Sequence, residues 1–242
     1  MGKSIEQGGI AGEGVPRLEM LKSPEAESVF ATMYDNLIAS TRDKCPSTVL
    51  VCSASRGEGA TTIASGLAIA ASQRQSGDVL LLDCNTHNPA ILKVFEEGKE
   101  RFTSSSLQEE RERLVLEATE RYGCQVGAIS RTPFARLTVL STAKALKGHR
   151  HCLESLGFRK MLDELLQVFS FIVIDGPPAN LHSESTFLSS QVDQVLLVLY
   201  SGFTRAPVAA KAAERLLFEG RPPKVVLNKR LFPIPPLVYR RL

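Results

Sequence analysis

The sequence predicts an α/β fold, a mostly parallel central sheet with helices on both faces. Three observations carry this. Short apolar runs closed by a polar residue recur along the chain: Thr48 to Cys52, Val79 to Asp83, Phe171 to Asp175, Val195 to Tyr200 and Lys224 to Asn228. Stretches of helical spacing alternate with them, the βαβ rhythm of a sheet buried on both faces. The first run feeds a glycine turn, Ser55-Arg-Gly-Glu-Gly59, that opens directly into a small-residue helix. In such a sheet, ligands bind at the carboxyl ends of the strands.

Taken in order, residues 1 to 22 scatter Gly2, Gly8, Gly9, Gly12 and Gly14 among charges without periodicity, which predicts a flexible arm. Val29, Phe30, Met33, Leu37 and Ile38 mark an amphipathic helix over 24–40 that covers one sheet edge. The helix after the glycine turn has a face of Ile63, Ala64, Leu67, Ala68, Ala70 and Ala71 that can lie close on a sheet, and Gly77 ends it. Pro89 begins a short helix running to Phe95. Residues 96–122, rich in Glu and Arg, predict a solvated helical insertion. Leu137 to Leu140 is a strand, and Phe158, Met161, Leu162, Leu165 and Leu166 trace one face of a helix. Thr204 is placed to cap a helix with Pro207 in its first turn and Val208, Ala212 and Leu216 on one side. Pro233, Pro235 and Pro236 end regular structure, so the chain divides into an arm 1–22, a domain 23–230 and a tail 231–242.

The glycine turn is the chemical centre. Glycines let successive backbone N–H groups converge on phosphate oxygens, and the helix that follows adds the positive end of its dipole. Against the pattern G-x-x-x-x-G-K-[ST], Ala54 takes the first position, followed by Ser55, Arg56, Gly57 and Glu58. Gly59 is the second glycine, Ala60 sits where the lysine belongs, Thr61 offers the Mg²⁺ hydroxyl and Thr62 follows it. A lysine on the terminal phosphates is a charge-assisted contact of roughly 1.5 to 3 kcal/mol, and alanine supplies none of it.

Three more strand ends bring polar groups to the same rim. Asp83, with Asn85 beside it, either holds Mg²⁺ or its waters or caps the next helix. Asp175, before Gly176-Pro-Pro178, is a metal-water ligand or a turn residue. Asn228 contacts an adenine edge or simply ends a strand.

Composition sets outer bounds. With 242 residues, 43% hydrophobic and 23% charged, the chain can bury the core of one α/β domain. A net charge of +3 without a basic block does not support a nucleic-acid partner; Lys144, Lys147, Arg150, Lys229, Arg230, Arg240 and Arg241 read as solvated surface. Five cysteines without a C-x-x-C pair indicate neither a disulfide framework nor a cysteine zinc site, and a reducing cytoplasm follows. No apolar run reaches the ~18 to 20 residues of a membrane span, so membrane association would come through a partner.

The order of these motifs, from Ser23-Pro24 through Arg56 to Gly59, Leu81 to Asp83, Asn88-Pro89, Phe169 to Pro178, Val195 to Tyr200, Thr204 and Val226 to Asn228, resembles the cytoplasmic kinase domain of bacterial tyrosine kinases. These deviant-Walker ATPases serve capsule and exopolysaccharide assembly. The resemblance implies a P-loop NTPase fold, ATP with Mg²⁺, and a membrane polysaccharide co-polymerase or export protein as partner, with the chain peripheral to the inner membrane. Thr61 matches the Mg²⁺ hydroxyl, Asp83 the first acid of the second Walker motif and Asp175 the Walker B acid. The departures are Ala60 for lysine, Asn85 for the second acid and His87 for an arginine. The family's oligomerising E-x-x-R-x-x-R falls on Ser28, Ala31 and Tyr34, and its terminal tyrosine cluster is reduced to Tyr239.

Three functions follow. The first is a degenerate nucleotide-binding or regulatory partner of a polysaccharide export machine, with homo-oligomerisation open. The second is an active tyrosine autokinase whose missing cation comes from Arg56, from residues 144–150 or from a partner subunit. The third is a partitioning-type ATPase switch, whose additional loop lysine is Ser55 here.

Overall fold

The computed structural model describes residues 18–39, 47–96, 106–122, 128–141, 156–218 and 221–229. Among these, seven strands form one sheet: β1 Thr48–Ser53, β2 Val79–Asp83, β3 Ala128–Arg131, β4 Leu137–Ser141, β5 Phe171–Asp175, β6 Gln194–Tyr200 and β7 Lys224–Asn228. Their order is β3-β4-β2-β5-β1-β6-β7. All neighbours run parallel except β3, which pairs antiparallel with β4 at the edge.

Side-chain alternation divides the core into two layers. Val49, Val51, Leu81, Val173, Leu196 and Val198 point to one face, covered by α1 Leu18–Leu21, α2 Pro24–Ala39, α3 Ala60–Arg74 and α4 Ile91–Glu96. Leu50, Cys52, Leu82, Ile174 and Leu197 point to the other, covered by α5 Ser106–Arg121, α6 Leu156–Leu165, α7 Glu184–Ser190 and α8 Ala206–Arg215. A strand buried on both faces must be apolar at consecutive positions, which is why these runs show no polar alternation. Among the described residues, no helix is long and apolar enough to cross a membrane.

Several expectations change. Helix α2 lies over α3 instead of covering a sheet edge: Phe30, Tyr34 and Leu37 are buried with the α3 residues Ile63, Leu67 and Ala70. The Tyr34 ring stands edge-on to Phe171 of β5 at 5.8 Å, and Gln75 Nε2 donates to its hydroxyl at 2.6 Å. Val29, counted in the apolar stripe, is exposed. Leu18 and Leu21, inside the stretch read as an arm, are buried in a short helix. Within the charged insertion, α5 is not wholly solvated, since Val115, Ala118 and Thr119 are buried and the first two join the core of the α6 face. Strand β3 and helix α7 were not foreseen. Residues 144–150, Tyr239 and the proline-rich tail lie outside the described residues.

Candidate functional site

Parallel pairing brings the strand ends together. Val51 of β1 is in register with Asp175 of β5, and Asp175 in turn with Asp83 of β2. The loop leaving β1 therefore passes beside Asp175 before α3 begins at Ala60, with Asp83 one strand further on.

That loop is shaped by its own atoms. Gly57 and Gly59 adopt φ of 78° and 95°, left-handed conformations that glycine takes without strain, and a Cβ on Gly59 would collide with the Asn228 amide. Glu58 is buried beneath the loop. Its Oε2 accepts from the Ser55 N–H at 2.9 Å, and its Oε1 accepts from the Thr204 hydroxyl. Asn228 Nδ2 donates to the Glu58 carbonyl at 2.9 Å. Lys229 Nζ donates to the Gly57 carbonyl at 2.8 Å and lies 4.7 Å from the Tyr200 ring centroid. Among the described residues no side chain caps the first turn of α3, so its N–H groups at Ala60, Thr61 and Thr62 suit an anion from outside.

From that turn, the Thr61 hydroxyl donates to Asp175 Oδ2 at 2.7 Å. Asp175 is fully buried, and among the described residues its Oδ1 has no hydrogen-bond partner. Burial drives its carboxyl well above the ordinary range, the neighbouring Asp83 charge adds to this, and the Thr61 bond offsets part. Burial also pushes Asp83 up to about 6, held back by N–H groups of Asn85, Ile91 and Ala90. Two buried acids on adjacent strands, one with an unpartnered oxygen beside a hydroxyl, make a donor set that a hard divalent cation fits. The two acids differ in what they have to spare. Asp83 Oδ1 accepts from Asn85 N–H at 3.0 Å and Oδ2 from Ile91 N–H at 3.3 Å, the capping role at α4. Asp175 has one oxygen without such a partner among the described residues.

The remaining expected residues take defined places. Ala54 is buried, and its carbonyl accepts from Asn180 N–H at 3.4 Å. Arg56 is exposed on the loop, and Ala60 and Thr62 are half-buried on the first turn of α3. Thr204 is not a helix cap: Arg205 occupies that place in α8, while the Thr204 hydroxyl accepts from Tyr200 N–H at 2.9 Å and donates to Glu58. Burial, then the Asp175 charge, drives the Cys52 thiol far up, so it is no nucleophile. A cavity of about 400 Å³ lined by Val192, Val195, Leu216, Phe218 and Pro223 opens at the amino end of β6, on the opposite rim.

Two features escaped the sequence reading: the Lys229 contact with the loop, and a cluster of His87, His182 and Glu184 at the same rim. The available signal for the lysine was its position one residue beyond a strand that ends at the rim.

No protein-family model matches the sequence. The chain is 29% identical over 219 residues to the tyrosine-protein kinase CpsD of Streptococcus pneumoniae serotype 4, covering 88% of this chain and 87% of that protein. It is 26% identical over 189 residues to the tyrosine-protein kinase YwqD of Bacillus subtilis strain 168, covering 77% and 73%. Its fold matches the crystal structure of the VpsO kinase domain with a TM-score of 0.65 and 26% identity, over 86% of this chain and 96% of that one. The relatives thus carry the bacterial tyrosine-protein kinase name to which the order of motifs pointed, and the fold is theirs.

Proposed function

We propose, from this likeness to bacterial tyrosine-protein kinases, that the chain is a kinase-like nucleotide-binding protein of bacterial capsule, exopolysaccharide or holdfast biosynthesis and export. It acts as a regulatory partner of a membrane polysaccharide co-polymerase, on the cytoplasmic side, and not as a fast phosphoryl-transfer catalyst. One observation carries the reading: beside the Thr61 hydroxyl, Asp175 has a buried oxygen unpartnered among the described residues, while Ala60 places no cation on the glycine turn.

ATP with Mg²⁺ would supply the phosphoryl chemistry when bound. The N–H groups of the first turn of α3 would hold its phosphates, and Thr61 and Asp175 would hold the metal directly or through water. Asn228, bonded to the loop at the Glu58 carbonyl, would contact the adenine edge. The missing lysine removes a charge worth ~10³ or more in rate where it acts on the transferring group. Self-association would use a surface other than the Tyr34 face of α2, which is buried against α3 and β5.

The test is nucleotide titration of the parent beside Ala60→Lys, with Mg²⁺ present. Restoring the contact should tighten binding by about 1.5 to 3 kcal/mol, roughly ten- to a hundredfold. If neither protein bound nucleotide, the loop would be purely structural and the reading lost.

A second reading, an active autokinase, is favoured by Lys229, whose ammonium already touches the loop. On that reading Lys229→Ala abolishes Mg²⁺-dependent phosphotyrosine formation. An inactive parent protein would leave only the first.

A further inference from the structure

Two histidines and a buried glutamate meet where the loops after β2 and β5 leave the carboxyl rim, and the nucleotide site uses none of them. His87 Nε2 lies 3.0 Å from Glu184 Oε1. The His182 ring stacks on His87 with centroids 3.6 Å apart and planes 18° apart. One ligand atom from each of the three residues lies within 4.8 Å of the other two. The Glu184 side chain is only 5% exposed and that of His87 21%, so a bound ion would be largely shielded from water while keeping one path in.

The donor set decides which ion. Two borderline imidazole nitrogens joined by one carboxylate oxygen favour zinc-class ions, whereas Mg²⁺ prefers oxygen alone. Three protein ligands with a fourth position open is the usual count for a zinc site accessible to solvent or substrate. The backbone is suited to it. His87 and His182 sit on turns free of helix and strand, so their rings can reorient. Glu184 is held at the first residue of α7, where the next side chain, Ser185, bonds back to the Pro177 carbonyl.

We propose that His87, His182 and Glu184 bind one zinc-class divalent ion, held at the ends of β2 and β5. Metal–ligand bonds of about 2.0 to 2.1 Å bring the donors of a tetrahedral site to roughly 3.4 Å from one another. Binding therefore closes the wider separations, lets the His87–Glu184 pair open slightly from 3.0 Å, and splays the two stacked rings, because parallel rings cannot aim both lone pairs at one ion.

The full chain, stripped with chelator, is titrated with Zn²⁺ against a metallochromic dye and separately with Co²⁺ followed by visible absorption. One equivalent should bind, unaffected by excess Mg²⁺, and Co²⁺ should show d–d bands without the near-ultraviolet thiolate band that Cys45, Cys124 or Cys152 would introduce. His87→Ala and Glu184→Gln should each weaken binding by at least about 100-fold, more than a lost outer partner would. A His149→Ala, His151→Ala double variant should bind as the parent does. Absence of stoichiometric binding in the parent would overturn the proposal. So would affinity that survives in His87→Ala but falls in the double variant. His182→Asn, which conserves polarity and volume, repeats the measurement should His87→Ala fail to fold. Neither arm contains nucleotide, so the outcome is independent of the proposed function.

Discussion

Asp83 and Asp175 are register partners on adjacent strands, and burial raises the proton affinity of both. A carboxyl that holds its proton more tightly folded than unfolded stabilises the fold most when protonated. For Asp83 that stability is fully present below about pH 4 and is lost as pH rises through about 6. Urea unfolding should therefore show stability falling on the order of 2 to 3 kcal/mol across that window from this group. Asp83→Asn should remove that part, and saturating Mg²⁺ should flatten it, since a cation between the acids favours their charged forms. A slope identical in the parent, in Asp83→Asn and in Mg²⁺ would show that the pair is not an electrostatic unit. Both acids could be picked out from the sequence because each closes an apolar run. Lys229 and the Glu58–Thr204 bond could not, because they join residues 172 and 146 positions apart and depend on which strands are neighbours.

At the scale of elements, the contact between α2 and α3 turns on Gly66. A Cβ there would run into the Phe30 ring, which is itself buried. Gly66→Ala gains up to about 1 kcal/mol of helix propensity but should lose about 1 to 3 kcal/mol to overpacking, for a net loss of stability. The same change made in a Phe30→Ala background should become neutral or stabilising, because the space is then open; equal effects in the two backgrounds would refute the contact. This also explains how the position of α2 was misread. Its apolar stripe was evident, but a stripe does not say what it packs against, and the glycine that admits Phe30 lies on another helix. Strand β3, four residues long, and α7, rich in serine and threonine, are held by their neighbours more than by propensity, so their sequences carried little signal.

Across the whole molecule, β2, β5 and β1 occupy the middle of the sheet, while β3 and β7 form its edges. Val225 and Leu227 on β7 are exposed, whereas every residue of β1, β2 and β5 is buried. Amide hydrogen exchange should thus be slowest in β1 and β5 and fastest in β3 and β7. Protection in β7 equal to that in β1 would mean that another chain segment covers the edge. The parallel architecture was readable because each strand is a continuous apolar run; the strand order was not, since it depends on crossovers that leave no local trace. One outcome of that order concerns the turn after β1, which is fastened to the ends of β6 and β7 through Thr204, Asn228 and Lys229. On the proposed reading, a visiting phosphate would meet a receptor already braced from three sides, so association should proceed without a slow moulding step.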